Sequence, residues 1–260
     1  WVFVSFFLGA VCSIASVWWS SHTTKEIPPS EEELQQMKQE RISVFTPFVD
    51  IAKAVVDMPK VMWQLALVYL FQWYALFCYW QNSSKSIALS VWNTTPQQNS
   101  KLYEEAVGWT GLVNGWYNIV TFLTAFTLAY FARKYSPKYV HFVCLVLAAV
   151  GFLIFPHIEN KYLLFPAITG FGIGWASMMG IPYLMVVANI PKERYGVYMG
   201  IINMMIVIPM FIQTLSFGYI LKHFLNNDPR SAITFAGCLL VVSAICTLFI
   251  TTKNKNQVVS

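Results

Sequence analysis

Residues 196–221 read GVYMGIINMMIVIPMFIQTLSFGYIL, a run of 26 residues without a single Lys, Arg, Asp or Glu. A helix needs only about 20 apolar residues to cross the hydrocarbon core of a bilayer. Six further segments have the same character, at residues 2–18, 61–80, 109–130, 140–155, 162–188 and 233–251. The sequence therefore predicts an all-α integral membrane protein with seven crossing helices.

The composition of the chain agrees with a membrane protein. Hydrophobic residues make up 57% of the sequence and charged residues only 11%, whereas a soluble domain has about 25% charged residues. The five cysteines all lie inside apolar segments and include no CxxC pair, and no nucleophile motif or phosphate-binding glycine loop is present. We therefore expect no enzymatic activity, no cofactor and no metal site. The net charge of +5 is explained by membrane topology, so we expect no nucleic-acid partner either.

The basic residues indicate the orientation in the membrane. Twelve of the 17 Lys and Arg residues fall in the segment 20–60, the loops 133–138 and 191–195, and the C-terminal tail. By the positive-inside rule, these segments and the C-terminus lie in the cytoplasm. The protein is accordingly expected in the cell (inner) membrane. Seven crossings then put Trp1 outside. Because Trp1 is no initiator residue, we expect a fragment of a longer protein.

The loop lengths predict four regions. Residues 1–19 form the last helix of an N-terminal bundle, 20–60 a cytoplasmic inter-bundle loop, 61–252 a C-terminal six-helix transmembrane bundle, and 253–260 a cytoplasmic tail. In the loop, Ser30 followed by three glutamates has the form of a capping box, which predicts a surface helix toward Arg41. Apolar residues at helical spacing from Phe45 to Val56 predict an interfacial helix. A packed linker is favoured there over a regulatory element.

One helix, a long loop and six further helices resemble helices six to twelve of a major facilitator superfamily transporter. The stretches FQWYALFCYW (71–80), GIGWASMMGIPYLM (172–185) and IPKERYGVYMGIINMMIVIP (190–209) look like the sucrose and maltose transporters of the glycoside-pentoside-hexuronide cation symporter group. The resemblance implies an N-terminal bundle of the same protein as partner, alternating access, a small-molecule sugar as substrate, and a proton as the coupling cation.

Candidate sugar ligands lie on the segment 109–130. Asn114 and Asn118 are spaced by four residues and so share one face of a helix, in a stripe that continues to Thr121 and Ala125. Their amides either face a cavity, where sugar hydroxyls supply donors and acceptors, or bond to neighbouring helices. Trp116 adds an aromatic surface for a sugar ring.

Two other segments supply further candidates. Gln72 and Trp73 fall near mid-membrane, where an unpaired amide is costly, and Asn203 is a possible pocket residue on the segment 196–221. Trp80 and Gln81 are expected near the outer interface, where an aromatic belt is the favoured explanation. The glycine pairs 170 and 174, and 111 and 115, are expected to allow close helix contact.

The sequence and the resemblance together predict a fragment of a secondary active transporter, a cation-coupled symporter for a disaccharide or other glycoside. The alternative is a non-transporting membrane scaffold or sensor built on a transporter fold. All acidic residues lie in the long loop or at loop edges. The cation-coupling acid is therefore expected outside this chain.

Overall fold

A computed structural model of the protein describes residues 2–24, 46–191 and 194–251, and every regular element in these ranges is a helix. The long helices are α1 (Val2–Thr23), α2 (Thr46–Val56), α3 (Lys60–Trp92), α4 (Ser100–Lys134), α5 (Pro137–Ile154), α6 (Leu164–Val187), α7 (Tyr195–His223) and α8 (Pro229–Leu248). Two short 3-10 turns, Phe155–His157 and Lys161–Leu163, connect α5 to α6. The predicted all-α class is confirmed.

Six of these helices, α3 to α8, are long and apolar enough to cross a membrane, counted over the described ranges. They coincide with the six predicted segments from residue 61 onward. Helix α1 forms where the first segment was predicted, and its crossing of the membrane stays a prediction.

The chain forms two compact units, Trp1–Val49 and Asp50–Ser260. In the first, the side chains of α1 that the structure describes are exposed, with Phe3 at 92%. Helix α2 confirms the helix predicted before residue 56. The predicted surface helix from Ser30 to Arg41 and the tail 253–260 lie outside the described residues, and the predicted region boundaries stay predictions.

In the second unit, helix α3 packs against α4, α7 and α8, and α5 packs between α6 and α8. Helix α4 completes the bundle through its contact with α6. Aromatic rings fill the interior where these helices meet: Tyr79 of α3 stacks on Phe152 of α5 at a centroid distance of 4.6 Å, and Phe171 of α6 lies 4.9 Å from Phe152. This core fixes the relative positions of the helices that carry the candidate residues.

Glycines allow the close approach of α5 and α6. A Cβ atom added at Gly174 would lie 2.7 Å from the Cβ of Ala148, and one at Gly170 would meet the carbonyl oxygen of Leu147. The close contact predicted for these two glycines is confirmed. Gly111 and Gly115 have no atom within 4 Å of an added Cβ, so the contact predicted for them is not made among the described residues.

Helix α3 is longer than predicted, because it continues to Trp92 rather than ending near Trp80. The polar residues Asn82, Ser83 and Ser86 are buried in this extension, and the Ser90 hydroxyl donates a hydrogen bond of 2.7 Å to the Pro156 carbonyl oxygen. Packing against the turn after α5 therefore maintains a helix that hydropathy alone does not predict. As a consequence, the residues around Trp80 lie near the middle of the helix.

Polar contacts anchor both ends of α8. At its start, the carboxylate of Asp228 accepts a hydrogen bond of 2.8 Å from the backbone N–H of Arg230 and also bonds the Arg230 side chain. Burial alone would raise the pKa of Asp228, but these bonds hold that pKa below its usual value. At the other end, the Gln64 amide donates to the Phe249 carbonyl oxygen at 2.8 Å, and Lys138 Nζ donates to that of Ile250 at 3.2 Å.

Candidate functional site

Polar and aromatic side chains gather near the middle of four helices. They are Tyr79, Trp80 and Gln81 on α3, Asn114 and Asn118 on α4, Trp175 on α6, and Gln213 on α7. Each lies within five residues of the midpoint of its helix. Helix α3 extends three turns beyond Trp80 and Gln81, and their expected position at an outer aromatic belt stays a prediction.

The two amides of α4 have different environments. The hydroxyl of Tyr79 donates a hydrogen bond of 2.9 Å to Oδ1 of Asn114, and the Tyr79 ring is fully buried. Asn118 is exposed, and the one hydrogen bond of its amide among the described residues is to the Asn114 carbonyl oxygen within the same helix, at 2.8 Å. Asn114 therefore bonds to a neighbouring helix, as one alternative predicted, whereas Asn118 is exposed. That either amide faces a sugar cavity stays a prediction.

Three indole rings are in contact between α3 and α6. Trp175 makes edge contacts with Trp73 and with Trp80, at centroid distances of 5.8 and 5.6 Å. Trp73 is buried, whereas Trp80 and Trp175 are half-buried. Partly open indoles combine an apolar face with a hydrogen-bonding N–H group, and ligand pockets use both features.

A buried polar layer lies on α3 among the same turns. Gln72 has no exposed surface, and both of its amide atoms, together with Trp73 Nε1 and the Tyr69 hydroxyl, lack a hydrogen-bond partner among the described residues. A buried polar group without a partner costs about 1–3 kcal/mol. Gln72 and Trp73 thus lie inside the bundle behind the half-open residues, rather than on its open side.

Helix α7 contributes through Gln213. This side chain has no exposed surface, and its amide donates a hydrogen bond of 3.1 Å to Oε1 of Gln81 on α3. Oε1 of Gln213 has no partner among the residues that the structure describes. The candidate site thus has amides on three helices and indoles on two.

Comparison with known families identifies the chain. The sequence profile of the Major Facilitator Superfamily matches residues 1–214. The chain belongs to the Major Facilitator Superfamily. No curated protein matches it. Members of this superfamily are membrane transporters rather than enzymes, so the chain belongs to a multi-pass integral membrane transporter that acts on a small molecule.

Two of the predicted site residues lie elsewhere in this superfamily bundle. Trp116 is two residues from both Asn114 and Asn118, and side chains two apart on a helix point in different directions. Its Nε1 donates to the Thr169 hydroxyl at 2.9 Å. Asn203 is exposed on α7, about 15 Å along the helix from Gln213.

One buried titratable group lies outside the candidate site. His141, in the second turn of α5, is fully buried. Its Nδ1 lies 2.7 Å from the Ser177 hydroxyl of α6, and its Nε2 has no partner among the described residues. Its spacing from Ser177, 36 residues, gives no local signal of this pairing.

Proposed function

We propose that the chain is part of a secondary active transporter for a disaccharide or related glycoside, of the sucrose and maltose type. A transporter of this superfamily moves its substrate by alternating access around a site near the bilayer midplane. The N-terminal bundle of the same protein supplies the opposite wall of that site. We place the protein in the cell (inner) membrane with its C-terminus in the cytoplasm.

The position of the candidate site near the helix midpoints carries this proposal. Asn114, Trp175 and Gln213 each lie within five residues of the midpoint of their helix, so we place them near the bilayer midplane. Sugar hydroxyls both donate and accept hydrogen bonds, and amides match both roles. The apolar face of a sugar ring packs on flat indole surfaces such as those of Trp80 and Trp175. No charged side chain is needed for a neutral ligand.

The role of the buried amide follows from the same geometry. Gln72 precedes Trp73, whose ring contacts Trp175, and both of its buried amide atoms lack a hydrogen-bond partner among the described residues. Movement of Trp73 or Trp175 during alternating access would expose Gln72 to a sugar. We therefore propose that Gln72 and Trp73 line the inner wall of the sugar site and that Asn118 lines its outer wall.

Binding of a panel of sugars to the complete purified protein tests the substrate class. Sucrose and maltose should change the fluorescence of Trp80 and Trp175 saturably, and Trp175→Phe should reduce that change. The matched control is Trp63→Phe, because Trp63 is 53% exposed and lies outside the candidate site. Saturable binding of a charged metabolite with no response to any neutral sugar would contradict the proposal. No saturable ligand response at all would favour a scaffold or sensor.

We also propose that proton movement drives sugar transport and that the acidic residue that couples the two lies outside this chain. Glu105 is the best local candidate, but it is exposed and pairs with Lys161 at 3.9 Å. Changing both Glu104 and Glu105 to Gln should therefore leave sugar-driven proton uptake intact in reconstituted vesicles. Loss of proton uptake with sugar exchange retained would move the coupling site to this outer edge.

A further inference from the structure

A groove of about 670 Å³ opens beside the turn that joins α4 to α5. Its walls are Leu128 and Phe131 of α4, Val143 and Leu147 of α5, and Ile173 of α6. The side chains of Phe131, Val143 and Leu147 are between 41% and 52% exposed, so the groove lies on the outer surface of crossing helices. Its volume is within the range of about 300–1,000 Å³ that is usual for small-molecule sites.

The length of the groove matches one leaflet. From Ser136 to Leu147 the wall follows α5 for eleven residues, which corresponds to about 16 Å at the helical rise of about 1.5 Å per residue. The hydrocarbon core of a bilayer is about 30 Å thick. A single acyl chain that starts at the turn would therefore reach about the middle of the membrane within this groove.

The end of the groove at the turn is polar and positively charged. Lys134 lines it, is exposed, and has no carboxylate within 4.0 Å in the described part of the chain. Its Nζ lies 5.6 Å from the centre of the Tyr135 ring. Ser136 also lines it, and its hydroxyl oxygen is buried without a hydrogen-bond partner among the described residues. A cation and an unused hydroxyl thus lie together where the apolar walls end.

We propose that this groove binds one anionic glycerophospholipid. Its acyl chain lies along Phe131, Val143 and Leu147, its phosphate pairs with Lys134, and the Ser136 hydroxyl donates to a phosphate or ester oxygen. The predicted topology places the turn on the cytoplasmic side, where the leaflet carries anionic lipids. A zwitterionic headgroup carries its own cation beside the phosphate, which weakens the attraction of Lys134, so the site favours a headgroup with a net negative charge.

Native mass spectrometry of the complete protein tests the charge dependence. The purified protein is incubated with equal amounts of phosphatidylglycerol and phosphatidylcholine that carry identical acyl chains. One phosphatidylglycerol should be retained about fivefold more often, since a basic residue near an anionic headgroup contributes about 1 kcal/mol. Lys134→Gln should abolish this preference. Lys60→Gln, an exposed lysine at the start of α3 that does not line the groove, should keep it.

A second variant tests the acyl chain. Val143→Trp fills the groove from a side chain that is 52% exposed, so it should fold and yet lose the retained lipid. Inorganic phosphate should not displace that lipid, because the apolar walls hold it. Equal retention of the two lipids by the unmodified protein, or equal effects of Lys134→Gln and Lys60→Gln, would overturn the proposal. Displacement by phosphate would replace it with a simple anion site.

Discussion

Replacing Asn118 with leucine should weaken sugar binding while leaving the stability of the bundle almost unchanged. The Asn118 side chain is exposed, and its only hydrogen bond among the described residues is to the Asn114 carbonyl oxygen of its own helix. Surface changes of this kind alter stability by about 0.5 kcal/mol or less. A hydrogen bond lost to a bound sugar costs about 1–3 kcal/mol, equivalent to about a 5- to 150-fold increase in Kd.

The neighbouring amide provides the contrast. Asn114 accepts from the buried hydroxyl of Tyr79 at 2.9 Å. Asn114→Leu leaves that hydroxyl without its acceptor and should lower the stability by about 1–3 kcal/mol as well as the sugar affinity. Adding Tyr79→Phe removes the unpaired hydroxyl and keeps the ring on Phe152. The double variant should therefore recover part of the stability but none of the affinity.

Equilibrium binding of labelled sucrose or maltose and thermal unfolding, measured on the same detergent preparation, separate these effects. Ile119→Leu is the control, because Ile119 is 53% exposed on the next position of the same helix, and it should change neither quantity. An unchanged Kd for Asn118→Leu together with a lower Tm would refute the reasoning, because it would assign Asn118 to helix packing.

Three further outcomes are expected. A single cysteine at position 134 should react with an impermeant reagent only after the cells are permeabilised. A single cysteine at position 85 should react in intact cells. The reverse pattern would mean that the predicted topology is inverted. Gly174→Ala should destabilise the bundle by about 1–3 kcal/mol through overpacking. The control Gly180→Ala, where an added Cβ meets open space, should leave the Tm equal or higher. Equal losses of stability in the two variants would contradict the close packing at Gly174. Asp228→Ala should cost about 0.5–2 kcal/mol as a lost helix cap. Because folding depresses the pKa of Asp228, this difference should be fully present at neutral pH, begin to shrink as the pH falls below about 3.9, and be lost only below the depressed pKa of the folded state. Thermal unfolding against pH measures it.

The sequence predicted the crossing helices well because hydropathy is a local property. It did not predict the end of α3, because the helix from 81 to 92 is held by tertiary contacts such as the bond from Ser90 to the Pro156 carbonyl oxygen, which no local pattern indicates. Close packing at Gly170 and Gly174 was predictable from spacing. The same spacing at Gly111 and Gly115 produced no contact within the described residues, because a small-residue pair does not specify its neighbour.

The candidate site was predictable only where it depends on helical periodicity. Asn114 and Asn118 share a face as their spacing requires, but Trp116 was grouped with them by closeness in sequence and lies in another direction. The bond between Gln81 and Gln213 joins residues 132 apart, and that between Tyr79 and Asn114 joins residues 35 apart. Such pairs depend on the tertiary arrangement, so no local pattern indicates them.

Uptake of a radiolabelled disaccharide by cells that express the complete protein tests the central claim most directly. The account predicts saturable sucrose or maltose uptake that is dissipated by an uncoupler, and a strong loss of uptake in an Asn118→Leu and Trp175→Phe double variant that still reaches the membrane at normal levels. Absence of saturable sugar uptake, or equal uptake by that double variant, would contradict a sugar site at the middle of α3, α4, α6 and α7.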